Sequence, residues 1–238
     1  MAQVINTNVS ALFAGAALNQ SNLALQTAQQ RLSSGLRINS AKDDATGLVT
    51  ATGSDSQIRG ANQAARNAND GISKAQTNDG YMQQITANLQ RIREIAVQLG
   101  GTASGAETTA LVAENTRING LATATGAVVV NSNGGTVTGV GTPPTLVAGL
   151  TIAATDAQIT AVSTARASYG ADMATFGSAV AVLQLQSVNV SASFSRIMDT
   201  DYAAETAAAS KNNILQQAGT AALAQANQNP QSVLSLLR

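Results

Sequence analysis

The residues that could do chemistry in this 238-residue chain are thirteen Asp and Glu against thirteen Lys and Arg, with no His and no Cys. Without His or Cys, the chain cannot build a Ser-His-Asp or Cys-His nucleophile, a thiolate or imidazole zinc site, or a disulfide framework. Carboxylate chemistry needs paired or clustered acids. Here the acids are scattered, and only Asp43 and Asp44 are adjacent. Asn39, Lys42, Asp43 and Asp44 lack calcium-loop spacing, and the Gly-rich stretch 134–141 precedes no helix and follows no phosphate-binding pattern. The expectation is a non-enzymatic protein with no catalytic residue, cofactor or metal. A net charge of zero supplies no basic field for nucleic acid.

The elements that would position such groups are built from unusual material. Charged residues are 11% of the chain, against roughly 25% in ordinary globular proteins. Aromatics are 3% and Trp is absent, so a large compact core is not expected. Residues 1–30 carry no charge, and none occurs between Lys211 and Arg238. The N-terminus lacks the basic region of a secretory signal, and its apolar residues are broken by Asn6, Asn8, Asn19, Gln20 and Asn22. The same amides argue against a membrane span.

Periodicity predicts long helices. Ile159, Val162, Arg166, Tyr169, Met173, Phe176, Val180, Leu183, Ser187, Val190, Phe194 and Ile197 alternate spacings of 3 and 4, a coiled-coil seam. Arg166 and Ser187 interrupt it and are expected to set register. A partner seam runs through Ala61, Ala68, Ala75, Met82, Leu89 and Ala96. Its companions read as Ile58, Ala65 and Ile72, then Ile85, Ile92 and Leu99. That change of offset predicts a break or stagger near Gly80. A third helix is expected over 106–122, with Leu111, Ile118 and Leu121 inward, after a Gly-rich turn at 100–105. Residues 127–130 and 136–140, joined through a Gly-rich turn, read as a β-hairpin. Residues 145–152 read as one more extended piece.

The chain ends are also helical by pattern. Leu18, Leu25 and Leu32 recur every seven residues, as do Val9, Ala16 and Leu23. Ser33, Ser34 and Gly35 should stop the first helix. Ser40 and Asp43 read as a capping box for the next one. Residues 202–237 read as a last helix, with Gly219 and Pro230 as weak points. The fold class is therefore mainly α: long helices from both chain ends in a coiled-coil or bundle arrangement, with a small β-hairpin at the tip. The polar faces of the end helices are Gln, Asn, Ser and Thr. Hydrogen-bonded amides can be buried between subunits at far lower cost than unpaired charges. Residues 1–35 and 203–238 are expected to pair, to pack against copies of themselves, and to gain full order on assembly. A contact that does not close generates an open helical polymer.

The strings RLSSGLRINSAKDDA at 31–45, RNANDGIS at 66–73 and LAQANQNPQSVLSLLR at 223–238 resemble bacterial flagellins. The resemblance covers roughly residues 1–100 and 160–238. It implies a structural subunit of the flagellar filament, polymerising into a hollow helical tube that serves as the motility propeller. It further implies export through the flagellar type III channel to an extracellular location. Residues 1–44 and 199–238 would form the inner, channel-lining layer. Residues 45–198 would form an outer bundle with the hairpin near 127–152 and no large outer domains. The expected self-assembly residues are Ile5, Val9, Leu12, Phe13, Leu18, Leu25, Leu32, Ile214, Leu215, Leu223, Val233, Leu234, Leu236 and Leu237. Implied partners are copies of the chain, a filament cap, hook–filament junction proteins and an export chaperone. Residues 89–98, LQRIREIAVQ, resemble the segment seen by the host Toll-like flagellin receptor, which implies contacts through Arg91, Ile95 and Glu114. The alternatives are a hook–filament junction protein, or a secreted coiled-coil adhesin or effector that does not polymerise.

Overall fold

The computed structural model describes residues 7–131, 134–146 and 151–236, with side chains as far as residue 228. The elements run α1 (Val9–Ser34), α2 (Ala45–Gln98), α3 (Ala106–Leu121), β1 (Ala127–Val129), β2 (Thr136–Thr138), α4 (Ile152–Met198) and α5 (Tyr202–Leu236). Two compact units divide the chain: Met1–Gly53 with Ser193–Arg238, and Ser54–Ala192.

In the first unit, α1 begins at Asn8, whose side-chain oxygen accepts from the Ala11 amide at 3.1 Å. It ends at Gly35, which adopts φ 71° and returns its N–H to the Arg31 carbonyl at 2.8 Å. A left-handed cap of this kind favours glycine. The expected stop is therefore where the residues placed it. The following connector is laced to the end of α4. Arg37 donates its amide to the Met198 carbonyl at 2.6 Å, and the Thr200 amide donates to Gly35 at 3.0 Å. The Arg37 guanidinium donates twice to the Ile197 carbonyl, at 2.8 and 3.1 Å. Ile38, Ala51 and Met198 are buried beneath this clasp, with Leu36, Leu48, Phe194 and Ile197 packed against them.

The capping box expected at Ser40 and Asp43 is not what starts α2. The Asp43 carboxylate accepts from the amides of Asn39 and Ser40 and from the Ser40 hydroxyl, closing a turn. Asp44 caps the helix instead, accepting from the Gly47 amide at 2.8 Å. An acid at either position satisfies free amides, so the pattern was legible but its phase was not. A Cβ at Gly47 would stand 2.3 Å from the Asp44 carboxylate, so a side chain there would push the capping carboxylate aside.

The second unit is a three-helix assembly with the hairpin. Its α2 seam consists of the buried Ala61, Ala64, Ala68, Gly71, Ala75, Asn78, Met82, Ile85, Leu89, Ile92 and Ala96, spaced 3 and 4 throughout. The helix runs through Gly80 without the expected break. The true companions of the heptad positions are Ala64, Gly71 and Asn78, while Leu99 is exposed. Counting apolar residues misses Gly71 and Asn78. Gly71 is a seat for Phe176, whose ring carbons lie 3.1 Å from where a Cβ would be. Asn78 donates to the Thr123 carbonyl and accepts from the Thr123 amide.

The α4 seam shows the same correction. Val162, Tyr169, Phe176 and Leu183 are buried as expected, but their companions are Thr155, Gln158, Ala165 and Asp172, whereas Ile159, Arg166 and Met173 are half-buried. Arg166 pairs with Asp79 at 2.8 Å, and Ser187 donates to the Asn62 side chain at 3.4 Å. In α3, Ile118 is buried, Leu111 packs against the core and Leu121 is half exposed.

The hairpin pairs Ala127 with Thr138, Val128 with Val137 and Val129 with Thr136, antiparallel. A lone hairpin is marginal in water, and here each helix holds it with one polar side chain. Asn78 of α2 binds the Thr123 backbone, and Asn119 of α3 donates to the Pro144 carbonyl at 3.0 Å. Asp172 of α4, 3% exposed, accepts from the amides of Val140 and Gly141, both at 2.8 Å, and from the Thr125 hydroxyl. A side chain at Gly141 would collide with the Tyr169 ring. The extended piece expected over 145–152 falls partly outside the described residues. Thr151 forms an isolated antiparallel bridge with Thr102.

Candidate assembly interface

The chain ends meet in an antiparallel helix pair, α1 on α5. Three contacts give the register. The Asn8 side chain donates to the Ala226 carbonyl at 2.8 Å. Leu18 packs over Gly219, its Cδ1 3.2 Å from the position of a glycine Cβ. Arg31 lies 3.6 Å from the Glu205 carboxylate. Gly219 is thus a seat for a leucine, not a weak point, and α5 continues through both Gly219 and Pro230.

The two seven-residue stripes of α1 have different fates. Leu18, Leu25 and Leu32 are half-buried on the face that turns toward α5. Val9, Ala16 and Leu23 are exposed, together with Leu12 and Phe13. Phe13 shows 78% of its surface to solvent. On α5, Leu223 is half-buried beside the buried Ala226, while Ile214 and Leu215 are exposed. Val233, Leu234 and Leu236 lie on the last turns of α5. Ile5 and Leu237 fall outside the described residues.

Burial inside the pair is slight. Ala28 is the one fully buried side chain of α1. Removing apolar area from water contributes about 25 cal/mol per Å², so a seam whose leucines are only half-buried and whose covered residues are alanines stabilises little. Leu12, Phe13, Leu23 and Ile214 remain without cover within the chain. A second neutral run lies in α4, where residues 173–195 carry no charge and Val182, Leu185 and Val188 are each more than 60% exposed.

Sequence reasoning missed Asn8, Arg31, Glu205, Gly219 and Ala226. The available signals were the Asn preceding an apolar run, the glycine at seam spacing in α5, and the first charge of the chain falling one turn before Gly35.

The residues expected to touch a host receptor lie in the second unit and do not form one exposed patch. Arg91 is exposed and bound to Glu107 at 2.9 Å and to Glu94 at 3.2 Å. Hydrogen bonds to Glu107, then Glu94, raise its pKa further above the ordinary guanidinium value. Glu114 is chelated by Arg117 at 2.7 and 2.8 Å, which lowers its pKa. Ile95 is turned into the core and is 8% exposed. Burial, and then the Asp172 charge, raise the pKa of Tyr169. Among the described residues, no group of three acidic side chains is placed to hold a metal ion, and no helix is long and apolar enough to cross a membrane.

Helices paired at the two chain ends, nearly free of charge and with apolar residues exposed on both, are the material of a structural protein and not of an enzyme pocket. The pattern described as the bacterial flagellin N-terminal helical region matches residues 5–134, and that of the C-terminal helical region matches 152–237. The chain belongs to the bacterial flagellin family, in a short form, and is a structural subunit of the flagellar filament. It is 37% identical to the flagellar filament 33 kDa core protein of Treponema phagedenis, over 99% of this chain and the whole of that one. It is 36% identical to a flagellin of Xenorhabdus nematophila over the full length of both. A flagellin of Salmonella muenchen is 55% identical over 49% of this chain and 23% of its own length.

Proposed function

We propose that residues 1–44 and 199–238 form the inner, channel-lining layer of the filament, and that residues 45–198 form the layer outside it. The observation that carries this reading is the exposure of Val9, Leu12, Phe13, Leu23, Ile214 and Leu215 on the paired end helices. These helices carry no charge in residues 1–30 and none between Lys211 and Arg238. Such faces are costly in water and cheap against identical faces. Heterologous packing that does not close makes a helical tube. The neutral outer face of α4 around Leu185 serves as a further contact between copies. The filament works as a hollow propeller, and subunits reach its end unfolded through the flagellar type III channel. The absence of Cys suits that route, since no disulfide can trap the chain. Residues 233–237 complete the inner layer, and an export chaperone covers the C-terminal segment before export. Cap and junction proteins meet the two ends of the polymer. A host receptor reads monomer through Arg91 and Glu114.

The test is seeded elongation followed by sedimentation. Full-length chain grows into long polymers. Variants lacking 1–35 or 204–238 do not grow, while circular dichroism shows Ser54–Ala192 still helical. Ordinary filaments from a doubly truncated chain would refute the inner-layer assignment.

A further inference from the structure

The α1·α5 seam leaves a question of register that its apolar residues do not answer. Leu18, Leu25 and Leu32 are seven apart and therefore interchangeable as knobs. A slip of one heptad would put Leu25 on Gly219 and Leu18 on Ala226, which is nearly as small a seat. The hydrogen bond from Asn8 goes to a backbone carbonyl, and every residue of α5 offers one. Amides along both helices are equally permissive. Little in the neutral seam opposes the slip; what does is the clasp at its base, where Thr200 donates to Gly35 and Arg37 to Met198, and a slip, which must open that clasp, would change which faces of the pair stand outward together.

Within the helix pair itself, beyond the clasp, one contact is not permissive. Arg31 is the first charge of the chain and Glu205 lies in the first turn of α5. Their side chains are 31% and 16% exposed, and theirs is the one ion pair among the described residues of this unit. The Arg31 Nε is buried without a hydrogen-bond partner, so the guanidinium is held by charge and packing. Asp43, in the turn before α2, also feels that charge: its pKa is lowered mainly by the Asn39 amide, then by Ser40, and in smaller part by Arg31. After a slip of one heptad, Arg31 would face Asn212 and lose its carboxylate. A half-buried charge that loses its partner is costly, and a single polar position in an otherwise neutral seam is a known way to specify register.

We propose that Arg31 is the positioning residue that, together with the clasp below it, holds the register of the paired ends through Glu205. This rests on the reading that the paired ends are the assembly surface.

The chain has no Cys, so an engineered disulfide reports register directly. Leu18 Cβ lies 3.7 Å from the ideal Cβ of Gly219, within disulfide range. In monomer carrying Leu18→Cys and Gly219→Cys, Arg31→Glu should lower the disulfide yield roughly fivefold, on the scale of a partly screened ion pair. In the Leu25→Cys, Gly219→Cys background the same change should raise the yield. Adding Glu205→Arg should restore the first yield and suppress the second, which a general loss of helix would not do. Arg31→Gln, a milder change checked for helicity by circular dichroism, should move both yields in the same directions. An 18–219 yield unaffected by Arg31→Glu and by Arg31→Gln would overturn the proposal. Seeded elongation is read separately. Single variants that slip and fail to elongate, with the charge-swapped chain recovering both, support both readings. Variants that slip but elongate at the full rate would uphold the register assignment and sink the assembly role of the paired ends.

Discussion

The second unit buries its largest side chains, and the paired end helices do not. In Ser54–Ala192, Tyr169, Phe176, Met82, Ile85 and Ile92 are all but fully buried, and six ion pairs join its described residues. In the paired ends, the completely covered residues are alanines while Phe13 faces solvent. Both units use helices with spacings of 3 and 4. What differs is the size of the residues that face a partner inside the chain and the charge on those that face away. The bundle has its core within the monomer, although Val182, Leu185 and Val188 stay exposed. On the proposed reading, the ends are completed when another subunit covers them.

The comparison breaks if stability and growth respond alike in the two regions. After terminal deletion, whose effect on growth is all or none, the largest effect expected is that of Phe176→Ala. It removes a fully buried ring seated on Gly71 and should cost about 3–5 kcal/mol, read as a fall in the melting temperature of the monomer. Next comes Asp172→Asn. Its amide cannot satisfy every donor converging from Thr125, Val140 and Gly141, and a loss of about 1–3 kcal/mol is expected. Hydrogen exchange should show that loss first at β1 and β2. Phe13→Gln sharpens the contrast. The melting temperature of the monomer should stay within the scatter of surface changes, about 0.5 kcal/mol. The critical concentration for elongation should rise about tenfold or more, as burying a phenylalanine between subunits is worth roughly 1.5–3 kcal/mol. The smallest structural effect belongs to Arg91→Ala. It breaks two exposed pairs and should leave both melting and elongation nearly unchanged, while receptor signalling by monomer should fall.

Much of the molecule was legible in its residues. Val162, Tyr169, Phe176 and Leu183 declared the α4 seam, Gly35 declared the end of α1, and Ala127 to Thr138 declared the hairpin. The companion positions were not legible, because apolar counting cannot see a residue buried for what it binds. Gly71 is there to receive Phe176, Asn78 to hold the Thr123 backbone, and Asp172 to gather the strand amides. Likewise α1 offered two equivalent heptad stripes. Nothing in their composition told the one that meets α5 from the one left bare.

The amino-acid order alone determined that this chain is helical by pattern, without His or Cys, and nearly uncharged at both ends. Those properties follow from residue type and local spacing, which act over a few turns of chain. Only the tertiary structure decided which stripe of α1 is spent inside the subunit, that Gly219 is a seat for Leu18, and that Arg31 stands against Glu205. Each of those depends on residues about two hundred positions apart being brought within a few ångströms, and no local pattern encodes which face will be taken.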